Sequence, residues 1–249
     1  MARLYLVRHA QSENNVIWDG TGDHQPGRKI DPEITDTGHR QAEVLARHLA
    51  HPQAEPRQHP FEETDSAHYG ITHVYCSLMT RSILTAEYIA NECGLPLHAH
   101  AEVFEKYGIY DVDDDGNMQG TAGPGRRYFE ERFAQLELPA DLNDAGWWSR
   151  PVEDEAAFLE RMKRVVAWAK DRLRGSDDQI ALVAHGDFID QFVNELMGVV
   201  RHQPNYDNHW VANWTFHNTS ISRIDFIDDA YSVIYMNRID HLPNELVTW

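Results

Sequence analysis

The chain has 249 residues, with 40 Asp and Glu against 22 Lys and Arg, giving a formal charge of −18 at neutral pH. That length is enough for one large domain or two small ones with a real core, and 42% hydrophobic with 25% charged residues excludes disorder as the default. The acidic balance argues against a nucleic-acid partner, because a surface that neutralises a phosphate backbone must be basic.

In chain order, Leu4 to Val7 is a short apolar run of buried-strand type that ends at Arg8-His9; with no small-residue cleavage pattern after it, the opening is expected to be a first strand and not a leader. From Thr35 onward, Ala42, Leu45, Ala46 and Leu49 recur at helical spacing, with Thr35 as N-cap and Asp36 in the first turn near the positive end of the helix dipole. Residues 51–70 are polar and rich in Pro and His, and read as a surface loop. Residues 72–77 read as a second strand, followed by a helix over about 80–93 that Gly94 can end. Residues 108–125 are rich in Gly and Asp and look like another loop or lid. A long helix is predicted over about 153–174, with Phe158, Met162, Val165, Val166, Ala169 and Leu173 as its buried stripe and Gly175 at its end. Gln179 to Ala184 is a buried strand ending at His185-Gly186, and a helix over about 187–198 follows. The runs VANWTF, SISRIDFI and YSVIYM within about 211–238 suggest strands near the edge of the sheet.

Strands alternating with helices indicate an α/β fold, a three-layer αβα sandwich with a mostly parallel central sheet and helices on both faces. The simplest organisation is a single domain over 1–249, with insertions at about 51–70 and 108–150, the latter an inserted lid segment. Cys76 and Cys93 are the only cysteines and form no CxxC pair, so no disulfide framework is expected and a reducing, cytoplasmic setting is favoured. No apolar run reaches the roughly 18 residues that a membrane span needs, so no membrane partner is expected. The 15 histidines lack metal-ligand spacing, and no metal or other cofactor is expected. The oligomeric state is left open, a homodimer included.

Ligands of parallel α/β sheets bind beyond the carboxyl ends of the strands. His9 and His185 both follow predicted strands, and Arg81 opens the helix after a third. With Arg8, two cations and two imidazoles can converge there and suit a dianion such as a phosphoryl group.

Four blocks of sequence carry a family resemblance. Leu6-Val7-Arg8-His9-Ala10-Gln11-Ser12-Glu13-Asn14-Asn15 resembles the Arg-His-Gly-Glu-Ser/Thr-x-x-Asn signature of the histidine phosphatase superfamily, in its phosphoglycerate-mutase-like first branch. Asp31 to Ala42 is similar to that family's Asp-x-Pro-Leu-Thr-x-x-Gly-x-x-Gln-Ala block. Ser77 to Ala86 is similar to its Ser-Pro-Leu-x-Arg-Ala-x-Gln-Thr-Ala block, and Val183-Ala184-His185-Gly186 to its second-histidine block. The blocks stand in family order between residue 4 and about residue 190.

The resemblance implies that His9 is the nucleophile that carries the phosphoryl group, with Arg8, Arg81 and His185 holding its oxygens. Gly186 contributes a backbone donor and Asn15 a phosphate contact, and Thr21 and Gly22 resemble a Thr/Ser-Gly pair lining the substrate side. It also implies a glutamic acid that protonates the leaving oxygen. Glu105 is the candidate, with Glu102 as the alternative, since the glycine after Glu105 comes at three residues where the family pattern has four.

Within the family, mutases hold a second anionic group with further bases. Here Lys106 is the one base between Glu102 and Gly125, amid Glu102, Glu105, Asp111, Asp113, Asp114 and Asp115. Unless Arg28, Arg126 or Arg127 reaches in, such a loop repels a second anion, which favours a phosphatase acting on small phosphomonoesters. A mutase, a protein phosphatase and an inactive binding member of the family remain alternatives. Tyr107, Tyr110, Tyr128, Phe129, Trp147 and Trp148 read either as walls of the site or as a small core of their own segment, with Tyr107 the expected substrate contact. A small phosphorylated substrate is the expected partner.

Overall fold

A computed structural model describes residues 1–18, 26–51, 69–199 and 213–249. In chain order the elements are β1 (Ala2–Arg8), α1 (Glu13–Ile17), α2 (Asp36–Ala50), β2 (His73–Cys76), α3 (Thr80–Cys93), β3 (Leu97–Ala99), β4 (Tyr110–Val112) and β5 (Met118–Gly120). They continue as α4 (Arg126–Arg132), β6 (Leu136–Glu137), α5 (Glu155–Leu173), β7 (Gln179–Ala184), α6 (Gly186–Met197), β8 (Ile221–Ile227) and β9 (Ala230–Arg238). Seven strands form one sheet in the order β6-β3-β2-β7-β1-β8-β9. The pairings from β6 to β1 are parallel, and β8 runs antiparallel to both β1 and β9.

Alternation along the central strands fills two cores. Leu4, Leu6, Ile180 and Leu182 pack with Phe158, Met162 and Val165 of α5 and Phe188 and Phe192 of α6. Tyr5, Val7, Ala181 and Val183 face the opposite way, onto Leu45 and Leu49 of α2, Ile83 and Ile89 of α3 and Phe129 of α4. Full burial of each such side chain stabilises the fold by about 1.5–3 kcal/mol, so truncating Leu182 at the centre costs about 2–5 kcal/mol. The predicted mixed architecture, with helices on both faces of a mostly parallel sheet, is the one observed.

The register places the functional ends. Arg8 is opposite Ala184 across the β1–β7 pair, so His9 and His185 leave adjacent strands at the same level. Thr35 caps α2 as predicted, its hydroxyl accepting from the Gly38 N–H at 3.0 Å. Gly38 has a second reason to be glycine, because a Cβ there would lie 2.3 Å from the Gln11 carbonyl oxygen. The helix is thereby seated directly against the loop that follows His9.

The segment 108–150 is distributed over several parts of the fold. Its hairpin β4–β5 is separate from the main sheet, while β6 adds an edge strand beside β3 and α4 contributes Phe129 to the core. Trp148 packs with Met79, Phe104 and Ile109 in a small cluster of its own. The segment 52–68, most of the predicted loop over 51–70, lies outside the described residues, as do the first two residues of VANWTF. The described part of that run is not a strand, whereas the next two runs form β8 and β9.

Candidate active site

The carboxyl ends of β1, β2 and β7 and the N-termini of α3 and α6 surround a cavity of about 320 Å³. Arg8, His9, Asn15, Arg81, Glu105, Tyr107 and Gly186 all line it, together with Arg28, Met79, Tyr110 and Asp187. Thr21 and Gly22 lie outside the described residues. Glu102 is absent from the lining; its carboxylate accepts from Nε and Nη2 of Arg164 at 2.8 and 2.6 Å, on α5. Of the two glutamates singled out in the sequence, Glu105 is the one at the cavity.

His9 is buried at the end of β1. Its Nδ1 lies 2.7 Å from the Ala10 carbonyl oxygen, a partner that can only accept, so Nδ1 carries the proton and Nε2 is left with a lone pair. Arg81 donates Nε–H to that Nε2 at 3.0 Å. Burial, and then the Arg81 and Arg8 cations, hold the His9 imidazole well below its ordinary pKa, so the ring is neutral at pH 7. His185 is buried with its ring centre 5.2 Å from that of His9, and burial followed by Arg81 keeps it neutral as well. Among the described residues neither ring nitrogen of His185 has a hydrogen-bond partner, and neither does Nε of Arg8. Three buried polar atoms of these two side chains thus have no partner among the described residues, against the general rule that buried polar groups are paired.

Arg8 is anchored by its Nη1, which donates to the Phe216 carbonyl. Arg81 is positioned through α3, whose N-cap Met79 offers no side-chain acceptor. Asp31 supplies it from a distance: its carboxylate accepts from the Thr80 N–H at 3.0 Å and from the Thr80 hydroxyl at 2.7 Å. Burial raises the Asp31 carboxyl, with Thr80 and Arg81 acting in the opposite direction. The sequence block around Asp31 therefore holds the arginine helix as well as starting its own.

Asn15 closes a capping box at α1, and its Oδ1 accepts from the Ser12 N–H and from Nδ2 of Asn218. Asn218 also donates to the His9 carbonyl at 3.1 Å and accepts from the Thr248 hydroxyl at 2.9 Å. Nothing in the sequence marks this residue, which lies beyond the last motif block and is fully buried.

Glu105 faces the N-terminus of α6. Its carboxylate accepts from the backbone N–H groups of Phe188 at 3.0 Å, Asp187 at 3.3 Å and Lys106 at 2.9 Å. Burial and the neighbouring Asp187 carboxylate outweigh these donors and the Arg81 and Arg8 cations, raising Glu105 to about 7. A carboxyl with that pKa holds a proton in an appreciable fraction of molecules at neutral pH and can give it up during a reaction. Tyr107, the next-but-one residue, has φ +74°, a left-handed conformation uncommon outside glycine, and its backbone carbonyl accepts from the Glu153 N–H at 3.2 Å.

Two arginines, the neutral His9 imidazole and a protonatable carboxyl line one cavity, while His185 is fully buried beside His9 and is not part of the lining; the set suits phosphoryl chemistry, with a nucleophile, donors for equatorial oxygens and an acid. Among the described residues, no group of three or more His, Cys, Asp or Glu side chains is disposed to hold a metal ion, and no helix is long and apolar enough to cross a membrane.

Comparison with known proteins agrees with this chemistry. The model of the histidine phosphatase superfamily (branch 1) matches residues 4–57 and 64–239. "Putative phosphoserine phosphatase 2" of Hydrogenobacter thermophilus is 26% identical over 248 residues, covering 97% of this chain and 98% of that protein. Among solved structures, a mutant phosphoserine phosphatase of Entamoeba histolytica in complex with phosphoserine is similar with a TM-score of 0.57 and 17% identity, covering 98% of this chain and 100% of that one. A mycobacterial glucosyl-3-phosphoglycerate phosphatase is similar with a TM-score of 0.54 and 18% identity, covering 94% and 98%. At these identities the solved structures bear on the fold alone.

Proposed function

Since the chain belongs to the histidine phosphatase superfamily, branch 1, we propose that it hydrolyses small phosphomonoesters through a phosphohistidine on His9. The observation that carries this reading is the His9 tautomer, with Nδ1 committed to Ala10 and the Nε2 lone pair turned toward Arg81. In the first step Nε2 forms a bond to phosphorus as the ester P–O bond breaks, and Glu105 gives its proton to the departing alkoxide. Arg8, Arg81 and His185 donate to the equatorial oxygens as charge builds on them. In the second step Glu105 takes a proton from water, whose oxygen bonds to phosphorus as the P–N bond breaks. Inorganic phosphate leaves, and His9 and the protonated Glu105 are restored. No step calls on a metal or an organic cofactor.

Hydrolysis is favoured over mutase transfer by where most of the other bases go, Arg28 being the one of the three arginines weighed in the sequence that reaches the cavity. Lys106 is paired with Glu155 at 2.6 Å, Arg126 donates to the Leu142 and Pro139 carbonyls, and Arg127 pairs with Asp144 at 3.7 Å. The names of the relatives add phosphoserine to the substrates worth testing.

The test is hydrolysis of p-nitrophenyl phosphate together with trapping of the phosphoenzyme. Wild-type protein should hydrolyse it and, quenched in mid-turnover, carry an acid-labile, alkali-stable phosphoryl group. His9→Ala should lose both. Activity of the variant near that of the wild type would overturn the assignment.

A further inference from the structure

Glu105 sits on a stretch, residues 102–108, that belongs to no helix or strand, so no regular element fixes where its carboxyl points. The stretch is held from behind by Arg161 of α5. Its Nη1 donates to two carbonyls there, that of Glu102 at 2.8 Å and that of Phe104 at 2.9 Å, so one nitrogen spans the turn that leads into Glu105. The other edge of the guanidinium is taken by Glu153, which accepts from Nε at 2.8 Å and from Nη2 at 2.6 Å. Glu153 in turn donates its backbone N–H to the carbonyl of Tyr107, two residues beyond Glu105.

Arg161 is 1% exposed and Glu153 8%, and a pair so buried has a desolvation cost that its own attraction need not recover. Stability alone is thus a weak reason for it. The guanidinium lies over the Phe104 ring, 3.6 Å from its centre, and 5.9 Å from the centre of the Phe188 ring, the residue whose N–H donates to Glu105. The acid is therefore caught between two fixed points, the backbone donors at the start of α6 on one side and the Arg161 fork on the other. Arg161 itself does not line the cavity at His9. Its charge does reach His185, where it adds to the cations that keep that ring neutral.

We infer that Arg161 is a positioning residue for the acid: with Glu153 it clamps the carbonyls of residues 102, 104 and 107, and so holds the Glu105 carboxyl where the leaving oxygen departs. The inference rests on the role proposed above for Glu105. Misplacing a reacting group by about 1 Å can cost on the order of 10²-fold in rate, so a clamp on three carbonyls of a loop has an effect worth measuring. Lysine cannot take the place of the arginine, because a single ammonium does not supply a planar fork to Glu153 together with a donor to two carbonyls.

The test reads the ratio of kcat/KM for benzyl phosphate to that for p-nitrophenyl phosphate, because the benzyl alkoxide needs a proton to depart and p-nitrophenolate does not. Both values come from one sample, so the ratio is independent of how much of a variant folds. Arg161→Met should lower it about tenfold to hundredfold, and Arg161→Lys nearly as far. Glu153→Gln, which keeps the outline of the pair, should lower it in the same direction and gives the reading where Arg161→Met yields no folded protein. In a Glu105→Gln background, Arg161→Met should move the ratio by no more than about twofold, since its effect runs through that carboxyl. Arg164→Met, on the same helix but at a half-exposed arginine paired with Glu102, should keep the wild-type ratio. An unchanged ratio in the Arg161 and Glu153 variants would overturn the inference, and so would a further fall in the Glu105→Gln background; equal losses on both substrates are what a purely structural role, or one through His185, would give. If Glu105→Gln alone leaves the ratio unchanged, the acid assignment itself fails and the inference falls with it.

Discussion

Arg81 donates its Nε–H to the Nε2 lone pair of His9 across 3.0 Å, so the guanidinium stands on the line along which phosphorus would be attacked. A phosphoryl oxygen arriving at His9 meets the same donor. Arg81→Met should therefore lower kcat/KM for p-nitrophenyl phosphate by about 10²–10³, the range for loss of one preorganised donor to a developing charge. Arg81→Lys should recover little, because a single ammonium cannot replace the planar fork. Steady-state kinetics of the two variants decide it; wild-type rates in Arg81→Met would remove Arg81 from the site.

Glu105 and Glu102 are three residues apart and their surroundings differ. Glu105→Gln should slow hydrolysis of an alkyl phosphate by about 10²–10⁴, and that of p-nitrophenyl phosphate much less, because p-nitrophenolate departs without a proton. Glu102→Gln should leave both rates close to wild type, its carboxylate being tied to Arg164 on α5. The ratio of the two substrates' rates in each variant is the measurement, and an inverted pattern would move the acid to Glu102.

Glu105, raised to about 7, also sets a pH dependence. In its proposed role as the acid it must be protonated, so kcat for alkyl phosphates should fall as pH rises through about 7. His9, held well below its ordinary value, should add no acid limb near pH 6.5. The same shift acts on stability: between the unfolded carboxyl value and about 7 the folded state binds the extra proton, so stability declines with rising pH in that window. Glu105→Gln should remove this decline, lifting Tm at pH 8 relative to wild type by on the order of 2–4 °C while changing little at pH 4. Equal shifts at both pH values would contradict the raised carboxyl.

Asp31 is a cap delivered from another part of the chain. Asp31→Ala should lower stability by about 1 kcal/mol, as loss of a helix cap does, and raise KM through the loosened start of α3 that presents Arg81. Asp31→Asn, which keeps an acceptor, should restore most of the stability. Thermal unfolding and kinetics on the two variants separate the cap from the charge.

The parts of the fold written in local patterns were legible in the sequence. The helix over 80–93 and the strand over 179–184 were predicted with the boundaries observed, because Gly94, at φ +66°, ends the first and a continuous apolar run defines the second. His9, Arg81 and His185 were legible for the same reason, each standing at a fixed offset from such an element. What was not legible depends on contacts far apart in sequence. Arg28 sits in a stretch with no period, and Tyr110, which orients it, is 82 residues away. The strand β6 has two residues, Leu136–Glu137, too few for any alternation to register, and it exists because β3 offers an edge. Glu105 and Glu102 both precede the same glycine; the sequence favours Glu105, and their different packing, against α6 and α5, separates them.

The bond from Asn218 to the His9 carbonyl spans 209 residues, and Asn218 is itself held by Thr248. Every motif that identifies the chain has been synthesised by about residue 190, yet β8, which flanks β1, and the Phe216 carbonyl that anchors Arg8 come later. A nascent chain carrying all four motifs thus has His9 specified by sequence but not yet held by structure. Assembly of the proposed site therefore waits for residues beyond the motifs, and the long-range closure that completes it belongs to the slow, high-contact-order part of folding.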